Sequence, residues 1–154
     1  MQARIAAIPR AVSARVVGAT LLVPTSTVLG IAAWLTPDPR GFGTHTQLGL
    51  GQCTFLHLTG YPCPMCGMTT TFALMAHAHP VEAALNQPFG VVLFSLTVAS
   101  SLVGGLDVAT GSGFAARVWA GIQRREQRLA IALLAGMMLG WVYKLLLMHP
   151  ELRP

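Results

Sequence analysis

The sequence predicts an all-α membrane protein. Three transmembrane helices are expected, with short interfacial or half-inserted helices in the outer loop between the first two. Three observations lead there. Apolar residues make up 53% of the 154-residue chain and charged residues only 10%, whereas soluble domains carry about a quarter charged residues. The apolar residues gather into three long runs, each close to the ~20 residues that cross a hydrocarbon core. The arginines collect in two segments that three spans would place on the same side of a bilayer.

We expect one membrane domain over 1–154, with spans at about 16–35, 88–106 and 129–148. The first span follows a short basic tail carrying Arg4, Arg10 and Arg15. Its apolar run of 20 residues exceeds the ~7–15 of a signal peptide, so an uncleaved helix is expected. Pro24 should kink it and Trp34 should mark the interface. In the outer loop 36–87, Gln47–Leu58 could form one short helix. A second should start near Cys63 and end near His77. Met68, Phe72 and Met75 recur there at helical spacing and read as a packing stripe. His77 lies too far along that helix to share an ion with Cys66: 11 residues at 1.5 Å rise separate them by about 16 Å.

In the second span, Ser100, Ser101, Gly104 and Gly105 place small residues four apart. In the third, Gly136 and Gly140 form G-x-x-x-G. Both patterns permit close helix approach, and these two faces are expected to pack on each other. The basic loop 107–128 is expected to include a short surface helix. Its arginines are better explained by topology and anionic lipid than by nucleic acid, for which no partner role is expected. Lys144, four residues from the end of the third span, is expected to snorkel to the headgroups, a buried functional lysine being the alternative.

The chemistry-bearing residues lie in one stretch, Cys53 to Thr71, which holds all three cysteines. Pro64 after Cys63 suits a helix start, with Cys63 near the cap and Cys66 in the first turn. Cys-Pro-Met-Cys lacks the histidine of a c-type haem site, and no strand precedes it as in a thioredoxin-like unit. Cys53, His57, Cys63 and Cys66 supply four ligands of the kind a closed zinc site uses, so a zinc or copper clip is open. A disulfide or buried thiols that fasten the loop are the blander reading, and a thiol–disulfide oxidoreductase using Cys63 and Cys66 is a further one. Cys63 and Cys66 are expected to act as a pair.

Leu-Thr-Gly-Tyr-Pro followed by Cys-Pro-Met-Cys-Gly-Met-Thr resembles the small bacterial membrane proteins of domain of unknown function 2752, from about Cys53 to Phe89. The resemblance singles out Gly67 and Thr69 in a C-P-x-C-G-x-T core, and Asn86 before the next span. Thr70 stands where that family usually carries arginine. The resemblance implies location and fold, and no settled activity.

The arginine distribution puts the N-terminus in the cytoplasm of a bacterial plasma membrane and the cysteine loop on the oxidising outer side. No carboxylate pair, Ser-His-Asp set or phosphate loop is present, so an independent enzyme is not expected. The leading expectation is a small accessory or scaffold subunit in contact with lipid and with a larger membrane complex.

Overall fold

The computed structural model describes residues 10–149. Among them are only helices and connectors: α1 (Arg10–Trp34), a 3-10 helix (Thr44–Leu48), α2 (Thr54–Thr59), α3 (Met68–Ala76), α4 (Pro80–Asn86), α5 (Pro88–Thr110), α6 (Phe114–Gln123) and α7 (Glu126–Met148). Helices α1, α5 and α7 are long and apolar enough to cross a membrane. At 1.5 Å per residue they reach roughly 34–37 Å against a core of about 30 Å. The chain is thus an all-helical, multi-pass membrane protein. The Arg4 part of the basic tail lies outside the described residues.

Close contacts group the chain into two units. One takes the chain up to Thr27 together with Thr97–Glu126, and so holds the start of α1, the end of α5, and α6. Glycine decides how α1 and α5 meet. A Cβ on Gly18 would lie 2.8 Å from the Gly104 carbonyl oxygen, and one on Gly104 would lie 2.7 Å from the Gly18 carbonyl oxygen. Neither residue could carry a side chain without separating the backbones. The hydroxyls of Ser26 and Ser101 add a bond of 3.0 Å along the same seam. The small-residue face of α5 therefore packs on the first span. The expectation that it packs on the Gly136/Gly140 face is not met.

Pro24 lies inside α1, which remains one continuous helix. The hydroxyls of Thr25 and Thr27 donate to the carbonyls of Leu21 and Val23 at 2.6 and 2.8 Å. These hydroxyls bond back to the main chain of the turn around the proline.

Helix α5 runs to Thr110, four residues beyond the end expected from its apolar run. The reason is Asp107, which is fully buried instead of opening a solvated connector. Its Oδ1 accepts the Phe114 N–H at 2.7 Å and its Oδ2 accepts the Ala115 N–H at 2.7 Å. Ser112 Oγ donates to it at 2.8 Å. Gly113, at the α6 N-cap with φ 68°, has no side chain to do this, so a carboxylate from the preceding helix caps α6 instead. Helix α6 leaves Trp119, Val118 and Ile122 exposed beside Arg117, as a surface helix at a lipid interface would.

The other unit takes Val28–Leu96 and the chain from Gln127. Two local expectations fail here for one reason, glycine at positive φ. The helix expected over Gln47–Leu58 is divided by Gly49 at φ 75°, leaving the 3-10 helix and α2. The helix expected from Cys63 begins only at Met68. Residues 64–67 form turns instead, with Cys66 N–H donating to the Cys63 carbonyl at 2.9 Å and Met68 N–H to that of Met65 at 3.1 Å. Gly67, at φ 84°, is the N-cap of α3, a conformation open mainly to glycine.

Helix α3 packs on α4 and on the start of α5. Phe72 meets Phe94 edge-on at 5.4 Å, and a Cβ on Gly90 would lie 2.9 Å from Thr71 and 3.1 Å from the Met68 sulfur. The Met68/Phe72 stripe is packing surface. His77 Nε2 donates to the Leu35 carbonyl at 3.1 Å, and His79 pairs with Glu82 at 3.3 Å. On α7, a Cβ on Gly136 would lie 2.9 Å from the Phe89 ring, and one on Gly140 would lie 2.8 Å from Gln87 Oε1. The G-x-x-x-G motif receives these two side chains, not a second small-residue face.

Gly104→Leu should lower stability by about 1–3 kcal/mol through overpacking against α1. Gly30→Leu is the control, because a Cβ there meets nothing within 4 Å. Thermal melts in mild detergent check this; equal midpoints for both variants would contradict the Gly18–Gly104 seam.

Candidate thiol site

The loop between α1 and α3 encloses a cavity of about 770 Å³. Cys53, His57, Cys63, Cys66, Gly67 and Thr69 all line it, so the structure assembles six of the residues singled out from sequence around one space. Arg40 and His45 add polar groups, and Phe42, Leu50, Leu56 and Met65 supply apolar wall. Arg40 is held by a pair of bonds to Asp38, at 3.0 and 2.8 Å. That guanidinium holds the Asp38 carboxyl below the usual carboxylate range.

The three cysteines are thiols in different surroundings. Cys53 is the N-cap of α2 and makes no side-chain bond of capping geometry. The backbone N–H groups of Leu56 and Phe55 and the Cys63 thiol nevertheless lie close enough to favour its thiolate, the Leu56 group most. Its pKa is held below that of an ordinary thiol. Burial pushes the Cys63 thiol up, with the Cys53 sulfur beside it adding to the rise. Cys66 is buried, and burial first, then the charge of Cys63, pushes its thiol up to about 11. Cys63 thus faces Cys53 as well as its neighbour Cys66. The sequence led to Cys63 with Cys66 as the pair, with Cys53 joining a metal site, remaining free or pairing with one of the two.

Among the described residues no three side chains of His, Cys, Asp or Glu are gathered as metal ligands. The four expected for zinc or copper share the cavity wall without forming that group, and Cys53 and His57 stand at the cap and within α2 respectively.

Asn86 does not line this cavity. It is buried behind it, and its amide joins the wall to α7. Nδ2 donates to the Gly67 carbonyl at 3.1 Å and to Thr71 Oγ1 at 2.9 Å. Oδ1 accepts from Lys144 Nζ at 2.6 Å, and Lys144 donates further to the Gly41 carbonyl at 3.1 Å and the Asn86 carbonyl at 3.4 Å. An ammonium has three protons, so each finds an acceptor. Lys144 is 1% exposed. The expectation that it snorkels to the headgroups is therefore overturned: three oxygens of the loop and α4 reach it before the interface does. A Cβ on Gly67 would lie 2.7 Å from the Gly41 carbonyl and 3.2 Å from Lys144 Nζ, so this glycine is needed for space as well as for its φ.

Two more bonds tie α7 to the loop and α4. Trp141 Nε1 donates to the Pro62 carbonyl at 2.7 Å, and Tyr143 OH to the Leu85 carbonyl at 2.6 Å. At Thr70, where the resemblance leads one to expect arginine, the hydroxyl is buried and bonds Thr44 Oγ1 at 2.8 Å. Gly41 and Thr44 carried no sequence signal, and Pro62 was marked only as part of the Leu-Thr-Gly-Tyr-Pro run. Lys144 did, since an ionisable residue within a span usually faces a partner inside the protein.

Residues 53–100 match the family described as Protein of unknown function (DUF2752). The match covers the three cysteines, α3, α4 and the first part of α5. It leaves out Gly41 and Lys144, so the region similar to the family is completed by contacts from outside it. No curated protein and no solved structure matches the chain.

Alkylation of the reduced protein across a pH series should resolve the thiols. Cys53 should react at lower pH than a free cysteine, and Cys66 last, with a midpoint of about 11. Residue-level mass spectrometry reads the order; Cys66 reacting first would contradict the cavity described here. Asn86→Leu should cost about 1.5–3 kcal/mol, because it leaves a buried ammonium short of an acceptor. In a double-mutant cycle with Lys144→Met the two losses should be less than additive.

Proposed function

We propose that this protein is a small accessory subunit of a larger complex in a bacterial plasma membrane, with its cysteine loop on the outer side and fastened by a disulfide. The observation that carries the fastening is the neighbourhood of Cys53 and Cys63 across α2. Joining them closes a short loop around the cavity mouth, which should stabilise the folded state by about 3 kcal/mol. Cys66, buried beneath, stays a thiol. The arginines of the tail and of the α6 region favour a cytoplasmic N-terminus, and disulfides persist on the opposite, oxidising side.

The accessory role is supported by the cap surface. Leu58, Val81 and Leu85 are 77%, 70% and 62% exposed, although they lie on the short helices α2 and α4 and not on the spans. Apolar side chains so placed suit lipid headgroup boundaries or a partner subunit.

The fastening is tested by counting thiols in protein purified without reductant, before and after a strong chelator. One free thiol throughout, mapped to Cys66, is expected. Three thiols that appear only after chelation would replace the disulfide with a zinc or copper clip, and a Cys63–Cys66 bridge would overturn the pairing. A cytoplasm-dependent reporter should be active after Gln127 and silent after His79; the reverse pattern would invert the orientation. Mild-detergent purification should retain a membrane partner.

A further inference from the structure

We propose that the Cys53–Cys63 pair is a thiol–disulfide exchange site that takes a cysteine-containing peptide or small disulfide into the cavity. This rests on the reading that the two cysteines can form a disulfide, and adds that the bond turns over.

Three features of the site carry it. Both cysteines line a cavity of about 770 Å³, within the range of spaces that take small ligands. A purely structural bridge has no need of such a space beside it. The cavity wall combines apolar Phe42, Leu56 and Met65 with the polar Arg40 and Thr69, a mixture suited to a peptide flank. The two cysteines are also unlike. Cys53 has main-chain N–H groups close to its sulfur, which stabilise a thiolate. Cys63 is more enclosed, and its own main-chain carbonyl is engaged by the Cys66 N–H.

That asymmetry assigns the steps. The Cys53 thiolate attacks one sulfur of an incoming disulfide R–S–S–R′. A bond forms between Cys53 Sγ and that sulfur, the R–S–S–R′ bond breaks, and R′S⁻ leaves with the electron pair. Cys63 then loses its proton to solvent and attacks Cys53 Sγ, closing the Cys53–Cys63 bond and expelling RS⁻. Two thiols of the protein are oxidised and one external disulfide is reduced. The same steps in reverse oxidise an external dithiol and reopen the pair. Cys66, buried and with its sulfur in the least favourable place for charge, takes no part.

The test uses full-length protein in mild detergent, reduced and freed of reductant, with glutathione disulfide in one arm and a disulfide-bonded cysteine peptide in the other. Cys63→Ser should accumulate one adduct per chain, on Cys53, severalfold faster than the same variant unfolded in denaturant at the same pH, because the main-chain N–H groups beside Cys53 and the cavity exist only in the folded chain. The wild-type chain should pass through that adduct and end with an internal Cys53–Cys63 disulfide and no adduct. Cys53→Ser should form adducts at or below the unfolded rate. Reaction in both arms identifies a site for small disulfides, and reaction in the peptide arm alone identifies a protein cysteine as the source.

Exchange is overturned if folded Cys63→Ser reacts no faster than unfolded, or if its adduct forms on Cys66. It is also overturned if wild-type protein keeps its adduct as stably as Cys63→Ser does. Failure of the underlying reading looks different: air-oxidised wild-type protein would then contain no Cys53–Cys63 bridge at all.

Discussion

The amide of Asn86 is the contact on which the cysteine loop depends. It is the last residue of the short helix α4, just before Gln87 and Pro88 lead into α5, and it works in two directions. Its nitrogen donates to Gly67 and Thr71, and its oxygen accepts from Lys144. Because the ammonium must be met by an acceptor, the orientation of the amide follows from chemistry. A side chain with two oxygens could not donate to Gly67, and one with only donors could not receive Lys144. Four parts of the chain distant in sequence are held together: the loop at Gly41, the turn at Gly67, the end of α4 and the third span.

The thiol cavity follows from that arrangement. Gly67 ends the Cys63–Cys66 turn and starts α3, and its carbonyl is one of the oxygens that Asn86 holds. The turn therefore cannot rotate without breaking the buried network. That fixes Cys66 inward and leaves Cys63 toward Cys53. The expected α-helical turn from Pro64 would have placed Cys63 and Cys66 on adjacent positions of one turn instead. One backbone angle, φ 84° at Gly67, separates the two outcomes.

The remaining unit has its own device. Gly18 and Gly104 let α1 and α5 meet backbone to backbone, and the buried Asp107 carboxylate is neutralised in effect by three donors. In a lipid-facing protein, where helices gain little from the hydrophobic effect against one another, close contact and satisfied polar groups are the forces available.

The three spans, the helical class and the stretch that holds the chemistry were legible in the sequence, because hydrocarbon thickness imposes a length and a composition that any reader can count. The cysteine spacing also marked the place, since so few reactive side chains occur elsewhere. Partners were not legible. Gly104 matched a small-residue pattern, but the pattern records that a helix approaches and not which one, and here it is α1. Lys144 announced itself as an ionisable residue in a span, yet its acceptors are main-chain oxygens at Gly41 and Asn86 together with an amide 58 residues away, and carbonyls leave no trace in residue identity. Which sulfur faces which was likewise decided by tertiary structure, because a single glycine at positive φ redirects the chain between Cys66 and α3 and spacing alone assumes a regular helix.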